Sequence, residues 1–219
     1  MKALEIKNLK KVYANKVEAL KDIDLVVESG DFFALLGPNG AGKSTTIGII
    51  SSLVNKDRGS ISICGVDIDE NFPLAKTKLG VVNQEFNFSQ FEKVRDVIMA
   101  QAGYYGVSPK IASARTEEYL RKLGIWDKRD VFIRELSGGQ KRRVMIIKAL
   151  IHKPELLILD EPTGVLTPQE TDQLFDILRA LKQQGVTILL ITHKLREIMA
   201  VTDHVSVMRS GEMVAHKQT

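Results

Sequence analysis

The sequence predicts an α/β domain built on a mostly parallel β-sheet. Short apolar runs alternate along the chain with segments of helical period, which is the pattern of strands joined by crossover helices. Two of the apolar runs, 32–36 and 156–159, contain no polar residue, as expected of strands covered on both faces. At 219 residues the chain is long enough for one well-buried core, with at most a small inserted subdomain.

The first third of the chain predicts an antiparallel sheet followed by the first buried strand. Residues 2–8 and 17–28 alternate apolar and polar positions, as half-buried strands do. The apolar run 32–36 stops at a glycine-rich turn, after which we expect a helix to begin near Lys43. Two further short strands are expected at 60–64 and 80–82.

The rest of the chain predicts a helical segment and then a return to alternating strands and helices. Helical spacing runs from Val94 to Leu123 and is interrupted at Ser108-Pro109, where a helix can start. Another helix begins at Ser137 and leads to the buried strand 156–159. The remaining elements are expected as helices at 168–184 and 195–201 and strands at 186–191, 203–208 and 212–215.

Composition excludes several classes of protein. Hydrophobic residues make up 44% and charged residues 26%, which is incompatible with wholesale disorder. No apolar run approaches the roughly 20 residues that cross a bilayer, and the first residues lack the apolar core of a secretory signal. The single cysteine, Cys64, cannot form an internal disulfide, consistent with a reducing compartment. The net charge of +4 is spread along the chain, so we expect no nucleic-acid partner.

A phosphate-binding loop is predicted between the first buried strand and the following helix. Its glycines let backbone N–H groups converge on phosphate oxygens, Lys43 can reach the β- and γ-phosphates, and Ser44 can ligate Mg²⁺. A plain glycine-rich turn would explain the glycines but not the Lys43-Ser44 pair at this offset. The predicted loop consists of Gly37, Pro38, Asn39, Gly40, Ala41, Gly42, Lys43, Ser44 and Thr45.

Two adjacent acids end the second buried strand. Because the carboxyl ends of parallel strands face the ligand crevice, we expect Asp160 beside a Mg²⁺ ion. Glu161, pointing the other way, is expected to polarise an attacking water. The alternative is an acidic strand cap without a chemical role, and the phosphate loop earlier in the chain argues against it.

A third motif connects the sequence to a known family. Leu136-Ser137-Gly138-Gly139-Gln140 matches the signature LSGGQ, and with it the whole chain resembles the ATPases of ABC (ATP-binding cassette) transporters. The resemblance implies a P-loop NTPase (RecA-like) parallel-sheet core with an antiparallel β subdomain and an inserted helical subdomain. The first two would comprise 1–85 and 156–219, and the helical subdomain with the signature about 88–150.

The resemblance also assigns site residues. Tyr13 corresponds to the aromatic residue that stacks on adenine, Gln84 to a glutamine that approaches Mg²⁺ and water, and His193 to a histidine that contacts the γ-phosphate. The catalytic set would then be Glu161, His193, Lys43 and Gln84, and the metal set Ser44, Gln84 and Asp160. The signature residues Ser137, Gly138, Gly139 and Gln140 would bind the ATP held by a second copy of the chain.

The implied function is ATP-driven transport. The chain would bind ATP and Mg²⁺, hydrolyse ATP as half of a head-to-tail nucleotide-sandwich dimer, and drive an integral membrane transporter subunit. It would lie in the cytoplasm, peripheral on the inner face of the cell membrane. One alternative is a soluble, non-transport ABC ATPase, although neither a second cassette nor a long coiled-coil insertion is present. Another is a pure binding or regulatory module of the same fold, and a third is a catalytically weak engineered chimera of that fold.

One position departs from the family pattern. Thr167 stands where most members have an aspartate that bridges the dimer interface, so we expect altered coupling between the two sites because a neutral hydroxyl lacks a charge-assisted contact. Residues from about 156 to 219 resemble sugar and nucleoside importer ATPases, whereas residues 1 to about 135–155 resemble bacterial ABC-2 type exporter ATPases. This difference in style leads to the hypothesis of a recombined or engineered chimera.

Overall fold

The computed structural model describes all 219 residues and contains two β-sheets. Four strands form the first sheet in the order β2-β1-β4-β5, and six form the second in the order β10-β9-β3-β8-β7-β6. The strands are β1 (Lys2–Val12), β2 (Glu18–Glu28), β3 (Phe32–Leu36), β4 (Arg58–Ile63), β5 (Val66–Asp67), β6 (Leu79–Val82), β7 (Leu156–Asp160), β8 (Thr187–Thr192), β9 (His204–Arg209) and β10 (Glu212–Gln218).

The first sheet is antiparallel throughout, as the alternating patterns predict. β1 pairs with β2 and with β4, placing Leu4 opposite Val27 on one side and Ile63 on the other. Strands β4 and β5 form a hairpin whose two loop residues, Cys64 and Gly65, both have positive φ. This turn type suits a two-residue hairpin loop. The two-residue strand β5 is not among the strands predicted from the sequence.

The second sheet forms the parallel core. Strands β6, β7, β8, β3 and β9 all run in the same direction, so their carboxyl ends meet at one edge. The last strand is the antiparallel exception in this mostly parallel sheet: β10 pairs antiparallel with β9 because only Ser210 and Gly211 connect them. A connection this short permits a hairpin but not a parallel crossover.

The helices follow the predicted order with one addition. Helix α2 was not predicted, although Asn71 caps its N-terminus by accepting a hydrogen bond from the Leu74 N–H group and Pro73 lies in its first turn. None of the helices is long and apolar enough to cross a membrane. They are α1 (Lys43–Ile50), α2 (Phe72–Thr77), α3 (Val94–Tyr104), α4 (Pro109–Lys122), α5 (Gly138–Leu150), α6 (Pro168–Gln183) and α7 (Leu195–Val201).

Two hydrophobic clusters cover the two faces of the parallel sheet. On β7, Leu157 and Leu159 pack with the helices α3, α4 and α5, whereas Leu156 and Ile158 pack with the antiparallel sheet and α1. Successive side chains of a strand point to opposite faces, so a strand buried on both faces has to be apolar at every position. This explains the uninterrupted apolar runs in β3 and β7 and the buried strand β8.

Candidate functional site

A loop rich in unpaired N–H groups connects β3 to α1. From Asn39 to Thr45, only Ala41 donates its backbone N–H group to another backbone carbonyl, that of Pro38. Gly42 has φ of 110°, and a Cβ atom there would lie 2.7 Å from the Ala19 carbonyl oxygen. Only glycine tolerates both conditions. The exposed donors and the helix N-terminus together form an anion-binding concavity.

Lys43 is buried inside the curl of this loop. Its ammonium donates hydrogen bonds to the carbonyl oxygens of Gly37 at 2.6 Å and Pro38 at 3.0 Å, and it lies 4.0 Å from a carboxylate oxygen of Glu161. A buried ammonium requires such partners because burial without them is costly. The loop therefore carries its positive charge at its centre, where the phosphates of a nucleotide would lie.

Glu161 and His193 form a pair at the edge of the same loop. The Nδ1 atom of His193 lies 3.0 Å from Oε1 of Glu161, which is largely buried, whereas nearly half of the His193 side chain is exposed. They follow the adjacent strands β7 and β8, and the Glu161 N–H group donates to the Ile191 carbonyl. The structure thus brings together Lys43, Glu161 and His193, which lie far apart in the sequence.

Asp160 ends β7 without a hydrogen-bond partner for its carboxyl group. Burial and the neighbouring Glu161 raise the pKa of Asp160, while Lys43 and Arg142 act in the opposite direction. An unpaired carboxyl group in this setting gains by binding a cation. No group of three or more His, Cys, Asp or Glu side chains forms a separate metal site.

Tyr13, Gln84 and the phosphate-loop residues from Asn39 to Thr45 line one cavity of about 780 Å³. Tyr13 lies at its rim, with its hydroxyl 3.3 Å from Oγ1 of Thr45, and is partly exposed. Gln84, which follows β6, also lines the cavity together with Glu161. The phosphate loop, Gln84 after β6 and Glu161 after β7 therefore meet at the carboxyl edge of the parallel sheet.

The signature residues lie outside this cavity, at the N-terminus of α5. Ser137 and Gln140 form a reciprocal cap, in which the Ser137 hydroxyl accepts from the Gln140 N–H group at 3.2 Å and the Gln140 side chain accepts from the Ser137 N–H group at 3.0 Å. The N–H groups of Gly138 and Gly139 have no backbone acceptor. The signature thus presents free donors that do not reach the phosphate loop of its own chain.

Thr167 has a local role that the sequence analysis did not identify. It caps α6: its hydroxyl accepts from the Glu170 N–H group at 3.3 Å, and its own N–H group donates to the Glu170 carboxylate at 3.0 Å. The same carboxylate packs so closely against Gly139 that a Cβ atom there would overlap its Oε1 atom. Glu170 therefore connects the start of α6 to the signature.

Arg142 is a second residue that sequence reasoning missed. Its guanidinium is buried and donates to the carbonyl oxygens of Asn83 at 2.6 Å and Gln84 at 2.8 Å. It also lies over the Phe86 ring, 5.3 Å from the centroid. Within the basic run near the start of α5, no pattern distinguishes this arginine from its partly exposed neighbours Lys141 and Arg143. It fixes the backbone of Gln84 to the helix that carries the signature.

Comparison with known proteins identifies the family. A family model described as ABC transporter matches residues 20–164. The chain belongs to the ABC transporter family. Its ABC relatives include the methionine import ATP-binding protein MetN 4 of Oceanobacillus iheyensis, 38% identical over 99% of the chain, and the linearmycin resistance ATP-binding protein LnrL of Bacillus subtilis, 38% identical over 97%. The chain spans 65% of the length of MetN 4 and 68% of LnrL.

A solved ABC structure has the same fold. It is the dimeric, post-hydrolysis state of the ATP-binding cassette MJ0796 bound to ADP and phosphate, with a TM-score of 0.87, 25% identity and 98% of both chains covered. The predicted fold class is confirmed. MetN 4 and LnrL each align over nearly the whole chain, through both the exporter-like and the importer-like portion. Nothing in these comparisons supports the chimera hypothesis.

Proposed function

We propose that the chain is the ATP-binding and ATP-hydrolysing subunit of an ABC transporter. The observation that carries this proposal is the convergence of Lys43, Glu161 and His193 on a loop of free N–H groups. A binding module would need the loop and the lysine only. The buried carboxylate paired with a histidine adds what hydrolysis requires, a base beside the phosphates.

ATP binding is assigned to the loop, Lys43 and Tyr13. The free N–H groups of Gly40 and of residues 42–45 would cradle the phosphate oxygens, and the Lys43 ammonium would exchange its two carbonyl partners for the β- and γ-phosphates. Tyr13 stands at the cavity rim, where its ring can stack on adenine.

Magnesium fits the oxygen donors of the site. Asp160 offers an unpaired carboxyl group, Ser44 a hydroxyl in the first turn of α1, and Gln84 a side-chain oxygen beside the cavity. Mg²⁺ is commonly held by one or two protein oxygens together with substrate phosphates. When bound, the ion neutralises charge that develops on the phosphoryl group.

Glu161 is assigned the task of orienting and deprotonating the attacking water. As the water oxygen bonds to the γ-phosphorus and the bond to ADP breaks, its proton passes to the Glu161 carboxylate. His193 would hold that carboxylate and the γ-phosphate in register, since Nδ1 already lies 3.0 Å from Oε1. Lys43 would stabilise the charge that builds up on the leaving oxygens.

The complete site requires a second copy of the chain. The Ser137 hydroxyl and the Gly139 N–H group offer donors at a helix N-terminus but lie outside the cavity that holds Lys43, so the γ-phosphate they bind would belong to the partner. The dimeric state of the MJ0796 cassette supports this arrangement. The dimer would be head-to-tail and symmetric, with two equivalent sites.

The membrane partner is assigned to a groove beside Gln84. A cavity of about 250 Å³ between the parallel sheet and the helical segment is lined by Leu53, Asn83, Gln101 and Tyr105, and Leu53 is largely exposed. A helix of an integral membrane subunit can insert there, next to the segment that senses the nucleotide. This contact would keep the chain at the cytoplasmic face of the membrane.

Phosphate release at increasing protein concentration tests the proposal. With ATP and Mg²⁺, we expect the rate per chain to rise with concentration, because dimers form the active sites. Lys43→Ala should abolish the activity, whereas Lys110→Ala, at an exposed lysine on α4, should leave it unchanged. A rate per chain that is independent of concentration would contradict the shared site.

A further inference from the structure

A buried carboxylate behind the catalytic pair is not used by the mechanism above. Glu197 lies in the first turn of α7 and is 8% exposed. Its Oε1 accepts a hydrogen bond from the Thr163 hydroxyl at 2.6 Å, and its Oε2 accepts one from the Thr192 hydroxyl at 3.2 Å. Both threonines are buried as well. A buried carboxylate is costly unless it is satisfied in this way, so its position calls for a reason.

The partners of Glu197 flank the two catalytic residues. Thr163 follows Glu161 by two positions, and Thr192 directly precedes His193. Lys194 comes directly after His193, and its ammonium lies 3.1 Å from Oε1 of Glu197. Its backbone N–H group donates to the Thr192 hydroxyl at 3.1 Å. The network therefore holds the residues before and after His193, which are Thr192 and Lys194, and also Thr163, two positions after Glu161.

We infer that Glu197 is a positioning residue that holds Glu161 and His193 at hydrogen-bonding distance. The inference rests on the proposed function, because the pair matters for turnover only if the chain hydrolyses ATP. Parallel strands set the spacing of β7 and β8, but the two residues lie beyond the strand ends. There the Glu161 N–H group still donates to the Ile191 carbonyl, whereas no cross-strand hydrogen bond holds the backbone of His193. Glu197 supplies that missing constraint through one side chain. Misplacing a catalytic group by about 1 Å can cost about 100-fold in rate.

Kinetics of Glu197→Gln and Glu197→Ala test the inference, with Arg196→Ala on the exposed face of the same helix as control. We expect kcat to fall by about tenfold or more for Glu197→Ala while the affinity for ATP stays within about twofold. In a His193→Ala background, Glu197→Ala should cause less than about a twofold further loss, because the contact between Glu161 and His193 that Glu197 maintains is already lost. Equal losses in both backgrounds, or an unchanged kcat, would overturn the inference. Glu197→Gln serves if the alanine variant does not fold.

A measurement without hydrolysis separates this inference from the proposed function. The imidazole nitrogen resonances of His193 should shift when Glu161→Gln is introduced, since the two side chains are in contact. In a Glu197→Gln background that shift should be strongly reduced, whereas Arg196→Ala should preserve it. An undiminished shift would refute the positioning role, whether or not the unmodified chain hydrolyses ATP. Absent hydrolysis with the expected pattern of shifts would instead refute the proposed function alone.

Discussion

Glu161 occupies an unusual backbone conformation. Its φ of 42° lies in the left-handed region, although the residue carries a full side chain. Such a conformation costs on the order of 1–3 kcal/mol and persists only where the surroundings enforce it. Here the N–H group is held by the Ile191 carbonyl and the carboxylate by His193. The strain turns the Glu161 side chain away from the sheet and toward the phosphate loop.

Replacing Glu161 by glutamine should separate binding from hydrolysis. The amide keeps the size of the side chain but cannot accept a proton from water, so we expect turnover to fall by at least about 100-fold while ATP binding persists. Dimers should then accumulate in the presence of ATP and Mg²⁺, as size-exclusion chromatography can measure. Glu155→Gln, at an exposed acid before β7, is the control. Full turnover in the Glu161→Gln variant would remove Glu161 from its assigned role.

Thr167 and Glu170 act together. The Thr167 hydroxyl is 3.2 Å from the Glu170 carboxylate and donates a hydrogen bond to it. An aspartate at position 167, as most family members have, would bring a second negative charge to this carboxylate. The expected change in coupling between the two sites of the dimer stays a prediction, but the structure gives a local reason for a neutral residue here.

Thr167→Asp should destabilise the chain by about 1 kcal/mol through repulsion from Glu170, and added salt should reduce the effect. Thr167→Asn should not, because asparagine caps a helix as well as aspartate does and carries no charge. In a Glu170→Gln background the aspartate should be tolerated. Urea denaturation at low and high salt measures the free energy of unfolding of Thr167→Asp, of Thr167→Asn and of Thr167→Asp in the Glu170→Gln background. Equal stability of the aspartate and asparagine variants would show that Glu170 does not govern this position.

At the scale of elements, a stacked pair joins the ends of α3 and α5. The rings of Tyr105 and His152, each just beyond its helix, are parallel with centroids 3.7 Å apart. Nε2 of His152 lies 3.0 Å from the Leu79 carbonyl at the start of β6, whereas Nδ1 is buried without a partner. Burial lowers the pKa of His152 to about 4. The helical segment is thus attached to the sheet through a histidine that stays neutral.

Stability should therefore fall as the solution becomes more acidic. Below the unfolded pKa of 6.5 the unfolded chain binds a proton at His152, whereas the folded chain does not until about pH 4. Between pH 7.5 and 5 we expect a loss of about 1–2 kcal/mol from this residue, with allowance for its partial exposure. His152→Gln keeps a donor for Leu79 and should remove that part of the loss. An identical pH dependence in both proteins, measured by chemical denaturation, would contradict this assignment.

The elements that the sequence predicted well are those whose signal is local. The buried strands β3 and β7 and the phosphate loop each follow from a few consecutive residues. Helix α2, with only six residues, is too short to show a helical period. The contact of Arg142 with Gln84 joins residues 58 apart, and no pattern in one sequence records such a pairing. The unpredicted parts of the site are therefore its supports, which tertiary packing determines.

At the scale of the whole molecule, the binding groups are divided between two surfaces. Lys43 and Glu161 line the cavity at the carboxyl edge of the parallel sheet, and the signature begins α5 outside it. The proposed site thus joins one surface of each copy. In a symmetric dimer, a defect in the loop and a defect in the signature should affect different halves of each site.

Mixing two inactive chains should restore activity. Lys43→Ala removes the phosphate contact, while Ser137→Asp keeps a good helix cap but sets a negative charge against the partner's γ-phosphate. Each variant alone has two defective sites per dimer. In a mixed dimer, one site carries both defects and the other carries none, so an equal mixture should reach about a quarter of the unmodified rate. Ser137→Asn, a neutral cap, should be active by itself. If the mixture stays as inactive as its components, while a cross-link shows that mixed dimers form, each chain must complete its site without the signature of the other.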